Sequence, residues 1–106
     1  VANMHVISRK PFNDAAQLYP NQASAIESVY KVLRNGQFND PLALKAVFPS
    51  LDNFKHKKKW WVIDIGGNHL RLIAFIEFRD NRVFVKHIVT HVESDKLCRK
   101  YAQEED

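Results

Sequence analysis

Cysteine is nearly missing from this chain: Cys98 is the single one in 106 residues. One thiol cannot close an internal disulfide, so the chain has no covalent framework and suits a reducing cytosol. Nor does any apolar run approach the ~20 residues that span a bilayer, and no secretory leader is recognisable. Repeats, low-complexity tracts and linkers are absent as well. His5, His56 and His69 show no metal-ligand spacing, so no metal or other cofactor is expected.

What is present fits one globular domain. The chain is 45% apolar and 11% aromatic, enough for one modest core. Val1-Ala2-Asn3 read as a cloning remnant before Met4. The domain is expected over residues 4–101, with an acidic tail over 102–106. The net charge is +4 and the pI near 9.3. Setting aside the three acids Glu104, Glu105 and Asp106 raises the charge of residues 1–103 to +7. Such a body attracts polyanions: RNA, ribosomes or acidic proteins.

Helical periodicity fills the first half and alternation the second. His5-Val6-Ile7 is a short strand. Ser8 and Pro11 open a helix carrying Phe12, Ala15, Ala16 and Tyr19 on one face, stopped by Tyr19-Pro20. Ser24 to Glu27 reads as a capping box ahead of Ile26, Val29, Tyr30 and Leu33, with Gly36 as the C′ residue. Asp40-Pro41 starts a short helix to about Val47. Strands are expected over Trp60–Ile65, Leu70–Phe78 and Val83–Thr90, joined at Gly66-Gly67-Asn68 and Asp80-Asn81. A polar loop and a C-terminal helix follow over His91–Tyr101. The fold class is α+β: a helical hairpin on a small antiparallel sheet, the first strand added at an edge.

Two-residue turns would pair Gly66 with His69 and Arg79 with Arg82. Side chains alternate along strands, so Ile63, Ile65, Leu70, Leu72, Ala74, Ile76, Val85 and Val89 share the face toward the helices. Trp60, Val62, Asp64, Arg71, Ile73, Phe75, Lys86, Ile88 and Thr90 share the other, while His87 falls on the core face. An arginine among apolar strand residues is costly to bury unless an anion meets it. For Arg71 that anion is either Asp64 on the neighbouring strand or a phosphate. The run Lys55, Lys57, Lys58 and Lys59 leads onto the same face, with Lys59 nearest the strand. A lysine run is ordinarily a solvated loop. Trp60 could stack on a base, though adjacent tryptophans are more often core.

Three words bear on function: KAVFPSLDNFK at Lys45–Lys55, GGNHLRL at Gly66–Leu72, and Thr90-His91. They resemble the HigB family of toxins from bacterial toxin–antitoxin pairs, over roughly Met4 to Lys96. These belong to the RelE-like group, whose members cut messenger RNA on the ribosome. The resemblance implies a RelE-like fold and a ribosome-dependent mRNA endoribonuclease that uses no metal and leaves a 2′,3′-cyclic phosphate. It implies a helix-turn-helix antitoxin of the HigA type, which neutralises the toxin and represses the shared operon with it. Operator DNA would be met only through the antitoxin.

Cleavage of this kind needs the 2′-oxygen deprotonated, the phosphorane charge stabilised and the 5′-oxygen protonated. Arg71, Lys59, Lys86 and His91 are the expected catalytic residues. The resemblance places a second strand cation at Lys86 and an acid or base at His91. Lys55, Lys57, Lys58, Asn68 and Trp60 are expected RNA contacts, with Asp64 and Asp95 supporting. One departure stands out: the family continues Thr-His with two residues and then Tyr-Asp, whereas Ser94 precedes Asp95 here. On that reading Ser94→Tyr would raise activity, and Asp95 would orient His91 or cap the last helix. A non-catalytic RNA- or ribosome-binding module, or a co-repressor subunit on the toxin fold, would use the same basic face.

Overall fold

The spacing of Phe12 and Ala15, and of Ile26, Val29, Tyr30 and Leu33, makes two helices that each bury one stripe. A computed structural model describes residues 3–104 and sets them as α1 (Lys10–Leu18) and α2 (Ala23–Asn35), joined by the 3₁₀ turn Pro20–Gln22. α3 (Pro41–Val47) begins where the Asp40 carboxylate accepts the Ala43 amide at 2.8 Å. The strands are β1 (His5–Val6), β2 (Asp52–Asn53), β3 (Trp60–Ile65), β4 (Leu70–Glu77) and β5 (Arg82–Thr90), followed by α4 (His91–Glu104). Val1, Ala2, Glu105 and Asp106, from the expected remnant and tail, lie outside the described residues.

The sheet order is β1-β5-β4-β3-β2. β1 joins at the edge as expected, but it runs parallel to β5, so the sheet is mixed rather than wholly antiparallel. One sheet face, with Ile63, Ile65, Leu70, Leu72, Ala74, Ile76 and Val83, forms one core with the stripes of α1 and α2. Burying these side chains is the main favourable contribution to the fold, each of the larger aliphatic ones worth about 1.5–3 kcal/mol relative to exposure.

The β3–β4 register is the expected one: Asp64 pairs with Arg71, and Ile65 with Leu70. Gly66 and Gly67 both take left-handed φ, at 63° and 69°. The β4–β5 register is not. A four-residue loop, Phe78–Asn81, ends in left-handed Asn81 (φ 56°), so Glu77 rather than Arg79 pairs with Arg82. Further along, Val85 opposes Ala74 and His87 opposes Ile73, leaving Lys86 as the extra residue of a bulge. The bulge changes the face of everything after it. Ile88 packs against the main core, while His87 and Val89 turn to the Arg71 face, contrary to the expected pattern.

Three end signals also differ from expectation. The 3₁₀ turn runs straight into α2, so Ser24 lies inside the helix rather than capping it, and Glu27 pairs with Arg9 instead. Gly36 is extended (φ −86°, ψ 163°), not left-handed. Glycine is needed there because a Cβ would sit 2.3 Å from the Phe38 ring and 2.9 Å from the Val32 carbonyl oxygen. α4 starts at His91 with no intervening loop and continues to Glu104, so Ala102, Gln103 and Glu104 are helical rather than tail.

α4 crosses the sheet face opposite α1 and α2. Its Tyr101 ring lies 5.2 Å from that of Trp60 and 5.7 Å from that of Phe54. Beneath it, Ile73 is fully buried. The sheet face that carries Arg71 is therefore covered along its centre.

Candidate active site

Arg71 gains its partners because α4 begins immediately after β5. Thr90 and Glu93 form a reciprocal cap: the Thr90 hydroxyl accepts the Glu93 amide at 3.2 Å, and Glu93 Oε1 accepts the Thr90 amide at 3.1 Å. The same Oε1 also accepts the Thr90 hydroxyl and the Tyr19 phenol, each at 3.0 Å. These donors, the Thr90 amide foremost, hold the Glu93 carboxyl below its ordinary range. Burial, then Glu93, pushes the Tyr19 phenol up. The cap fixes the first turn of α4 and sets His91 and Ser94 above β4.

There the Arg71 guanidinium reaches several groups at once. Nη2 meets His91 Nδ1 at 2.8 Å, and Nη1 donates to Ser94 Oγ at 3.2 Å. Nε lies 3.6 Å from Asp64 Oδ1, and Nη1 lies 4.0 Å from Asp95 Oδ1. A guanidinium can only donate, so His91 Nδ1 is the acceptor and the neutral ring carries its proton on Nε2. Nε2 is buried without a hydrogen-bond partner, 3.6 Å from the same Asp64 oxygen. Arg71 and Asp64 remain about a quarter exposed, so the cluster is open to a ligand on one side. A cleft of about 320 Å³ opens beside it, with Lys55, Asp64, Arg71, Ser94 and Cys98 in its wall.

The expected site residues divide into two groups. Arg71, His91, Asp64 and Asp95 gather in one cluster, and Lys55 lines its cleft. Lys59 does not join them: its backbone is left-handed (φ 64°) and Nζ reaches Glu77 Oε2 at 2.5 Å. That contact, with the Arg79 amide, lowers the Glu77 carboxyl. Lys57 lies 5.1 Å over the Tyr101 ring and 3.7 Å from Glu104 Oε1. Lys58 is exposed on the segment from Asn53 to Trp61, which encloses an adjoining hollow of about 610 Å³ that shares Asn53, Phe54 and Lys55 with the cleft.

Lys86 shares the face of Arg71 as expected, with Nζ 5.8 Å over the Trp60 ring and 5.9 Å over that of Phe84. Trp60 opposes Phe75, four residues along β4 from Arg71, which is about 13 Å at strand rise. Lys86 and Lys59 are thus outside the Arg71 cluster. Trp60 packs among Phe54 and Tyr101 rather than standing free. Asn68 is exposed at the β3–β4 turn. His87 bonds the Tyr101 phenol at 2.9 Å on the outer face, and burial, with Lys100 and Lys86, lowers its proton affinity.

Ser94, read from sequence as a weakening departure, is 1% exposed and orients the Arg71 fork. Asp95 is exposed and does not cap α4, which Thr90 and Glu93 do. The roles of Tyr19, Glu93 and Tyr101 escaped sequence reading, although Thr90-x-x-Glu93 is itself a legible capping signature.

Comparison with known proteins identifies the family. Residues 22–97 match the HigB_toxin family, described as the RelE-like toxic component of a toxin–antitoxin system. A protein named mRNA interferase HigB from Escherichia coli O6:H1 is 48% identical over 103 residues, covering 97% of this chain and 100% of the relative. The mRNA interferase toxin HigB of Escherichia coli K12 is 40% identical over 92 residues, covering 87% and 88% of the two chains. The mRNA interferase HigB of Shigella flexneri matches to the same extent. The chain belongs to the HigB toxin family, the RelE-like toxic components of toxin–antitoxin systems.

Proposed function

We propose that this toxin is an mRNA interferase: an endoribonuclease that cuts messages on the ribosome, uses no metal and leaves a 2′,3′-cyclic phosphate. The observation that carries this reading is the meeting of Arg71 with His91 at 2.8 Å beside a cleft that Lys55 also lines. A planar fork suits phosphate oxygens and the charge that builds on a phosphorane. An imidazole within reach of the same phosphate suits proton transfer near neutral pH. Lys55 adds a phosphate contact along the strand, and Ser94, Asp64 and Asp95 hold the fork in place. Lys57, Lys58 and Asn68 supply outer contacts on a long substrate, whereas Lys59, Lys86 and Trp60 act at a distance from the reacting phosphate.

The antitoxin is proposed to be a HigA-type helix-turn-helix protein that masks the basic surface and, with the toxin bound, represses their operon. A cytoplasmic location is part of the same proposal, since ribosomes are its site of action. Among the described residues, no helix is long and apolar enough to cross a membrane.

Inducing the chain alone tests the reading. Growth arrest with cleaved messages, relieved by Arg71→Ala and by co-expression of a HigA-type antitoxin, is expected. Arrest with intact messages would mark a ribosome-binding blocker instead and overturn the proposal.

A further inference from the structure

The contact between Arg71 and His91 constrains more than position. Nη2 of a guanidinium is always a donor, so the 2.8 Å contact exists only while Nδ1 is bare. Protonating Nδ1 would set two donors, both cationic, against each other. The second ring nitrogen, Nε2, is buried with no hydrogen-bond partner and faces Asp64 Oδ1 at 3.6 Å. That same oxygen is 3.6 Å from Arg71 Nε. One carboxylate therefore stands between two groups that compete to be its cation.

We infer that Arg71 controls the proton of His91, so that binding of an RNA phosphate charges the imidazole. At rest the guanidinium sits on Nδ1 and holds the ring neutral. A phosphate dianion or diester is a better partner for the fork than a neutral ring. When the fork turns to it, Nδ1 is released toward the phosphate and takes a proton from solvent. The imidazolium gains the nearby phosphate charge and, through Nε2–H, the Asp64 carboxylate that Arg71 has partly relinquished. Asp64 and Ser94 are positioning residues in this scheme, and His91 is the group that meets the substrate. The other charged groups to weigh are Glu93 and Asp95 on its own helix and Lys55, which lines the cleft that Arg71 also walls. Glu93 is engaged with Thr90 and Tyr19, and Asp95 lies toward Arg71 Nη1.

The device rests on the cleavage reading and gives it an acid. The 2′-oxygen bonds to phosphorus and yields its proton to water. The P–O5′ bond breaks and the departing oxygen takes the Nδ1 proton. The ring left behind is neutral, and Arg71 can return to it. Without phosphate in place the acid is uncharged, so the acid is formed only when substrate is bound.

The test is ring-nitrogen NMR of His91 in the full chain, assigned with His91→Gln, as a function of pH and with added inorganic phosphate. Expected are the Nε2–H tautomer in the free protein and protonation at a higher pH in Arg71→Met. Added phosphate should move the native protein the same way, and Asp64→Asn should cancel the gain in the Arg71→Met background. An Nδ1–H tautomer, or equal protonation midpoints in native protein and Arg71→Met, would overturn the inference. The outcome is independent of cleavage. Coupling without cut messages would sink the proposed activity alone, and cut messages without coupling would sink this inference alone.

Discussion

Replacing Glu93 with glutamine separates the charge of the α4 cap from its shape. In the native chain Glu93 Oε1 accepts the Thr90 amide at 3.1 Å and the Thr90 and Tyr19 hydroxyls at 3.0 Å each. Glutamine keeps an acceptor oxygen but loses the charge that strengthens each bond. A first-turn carboxylate contributes about 0.3–1 kcal/mol through the helix dipole, and an intact cap about 1 kcal/mol. The side chain is exposed, so screening keeps the total loss near 1 kcal/mol rather than the sum of three charged bonds. For a domain of this size that lowers Tm by about 4–8 °C. The sign of the pH dependence follows from the same bonds. They depress the folded-state value below the ordinary 4.5, chiefly through the Thr90 amide. The contribution is therefore complete at neutral pH and disappears as pH falls through the folded-state value. Thermal melts of native and Glu93→Gln protein should separate at neutral pH and converge as the solution is acidified below the carboxylate range. Equal melting at neutral pH, or a gap undiminished in acid, would refute the reasoning.

Other substitutions test the division of the site. Arg71→Met should lower message cleavage at least about 100-fold, as loss of a transition-state donor does. Lys59→Ala and Lys86→Ala should lower it less than about threefold, since neither side chain joins the Arg71 cluster, and Lys55→Ala should fall between. Message cleavage assays on the four variants rank them; a Lys59→Ala loss equal to that of Arg71→Met would contradict the assignment. Ser94→Tyr should lower stability by about 1–3 kcal/mol through overpacking and reduce activity, because the site is 1% exposed and its hydroxyl holds Arg71. Denaturant melts and cleavage rates check it, and a more active variant would restore the view of Ser94 as a defect. Gly36→Ala should destabilise by about 1–3 kcal/mol against Phe38 and Val32, more than Gly67→Ala, whose Cβ meets open space and pays only for its left-handed φ. Denaturant midpoints giving the reverse order would refute this.

Much of the fold was legible because local signals were strong. Asp40-Pro41 marked α3, and the paired glycines at 66 and 67 gave the β3–β4 register and hence the facing of Asp64 and Arg71. The β4–β5 register was not legible, because Asp80-Asn81 fits a two-residue turn as well as the four-residue loop that forms. The bulge at Lys86 leaves no mark in the sequence either. That miss put His87 on the wrong face. Capping boxes at Ser24–Glu27 and Thr90–Glu93 carry the same signature, but the 3₁₀ turn running into α2 leaves Ser24 inside that helix, and only the second cap forms.

The site was legible in its charge and not in its partners. An arginine among apolar strand residues called for an anion, and Asp64 is there. Distance along the chain favours Lys59 within the lysine run. In space the left-handed turn at Lys59 sends that side chain to Glu77, and Lys55 is the one lining the cleft. Sequence shows in Ser94 only the absence of a family tyrosine. Its role lies in a hydrogen bond across twenty-three residues of sequence, which no local pattern records.

The central claim is ribosome-dependent cleavage through Arg71 and His91. Its most direct test maps message ends in a reconstituted translation reaction containing the purified chain, with naked mRNA as control. Cuts are expected on translated message only, ending in 2′,3′-cyclic phosphate and lost with Arg71→Met and His91→Gln. Intact message under translation, or equal cutting of naked mRNA, would contradict it.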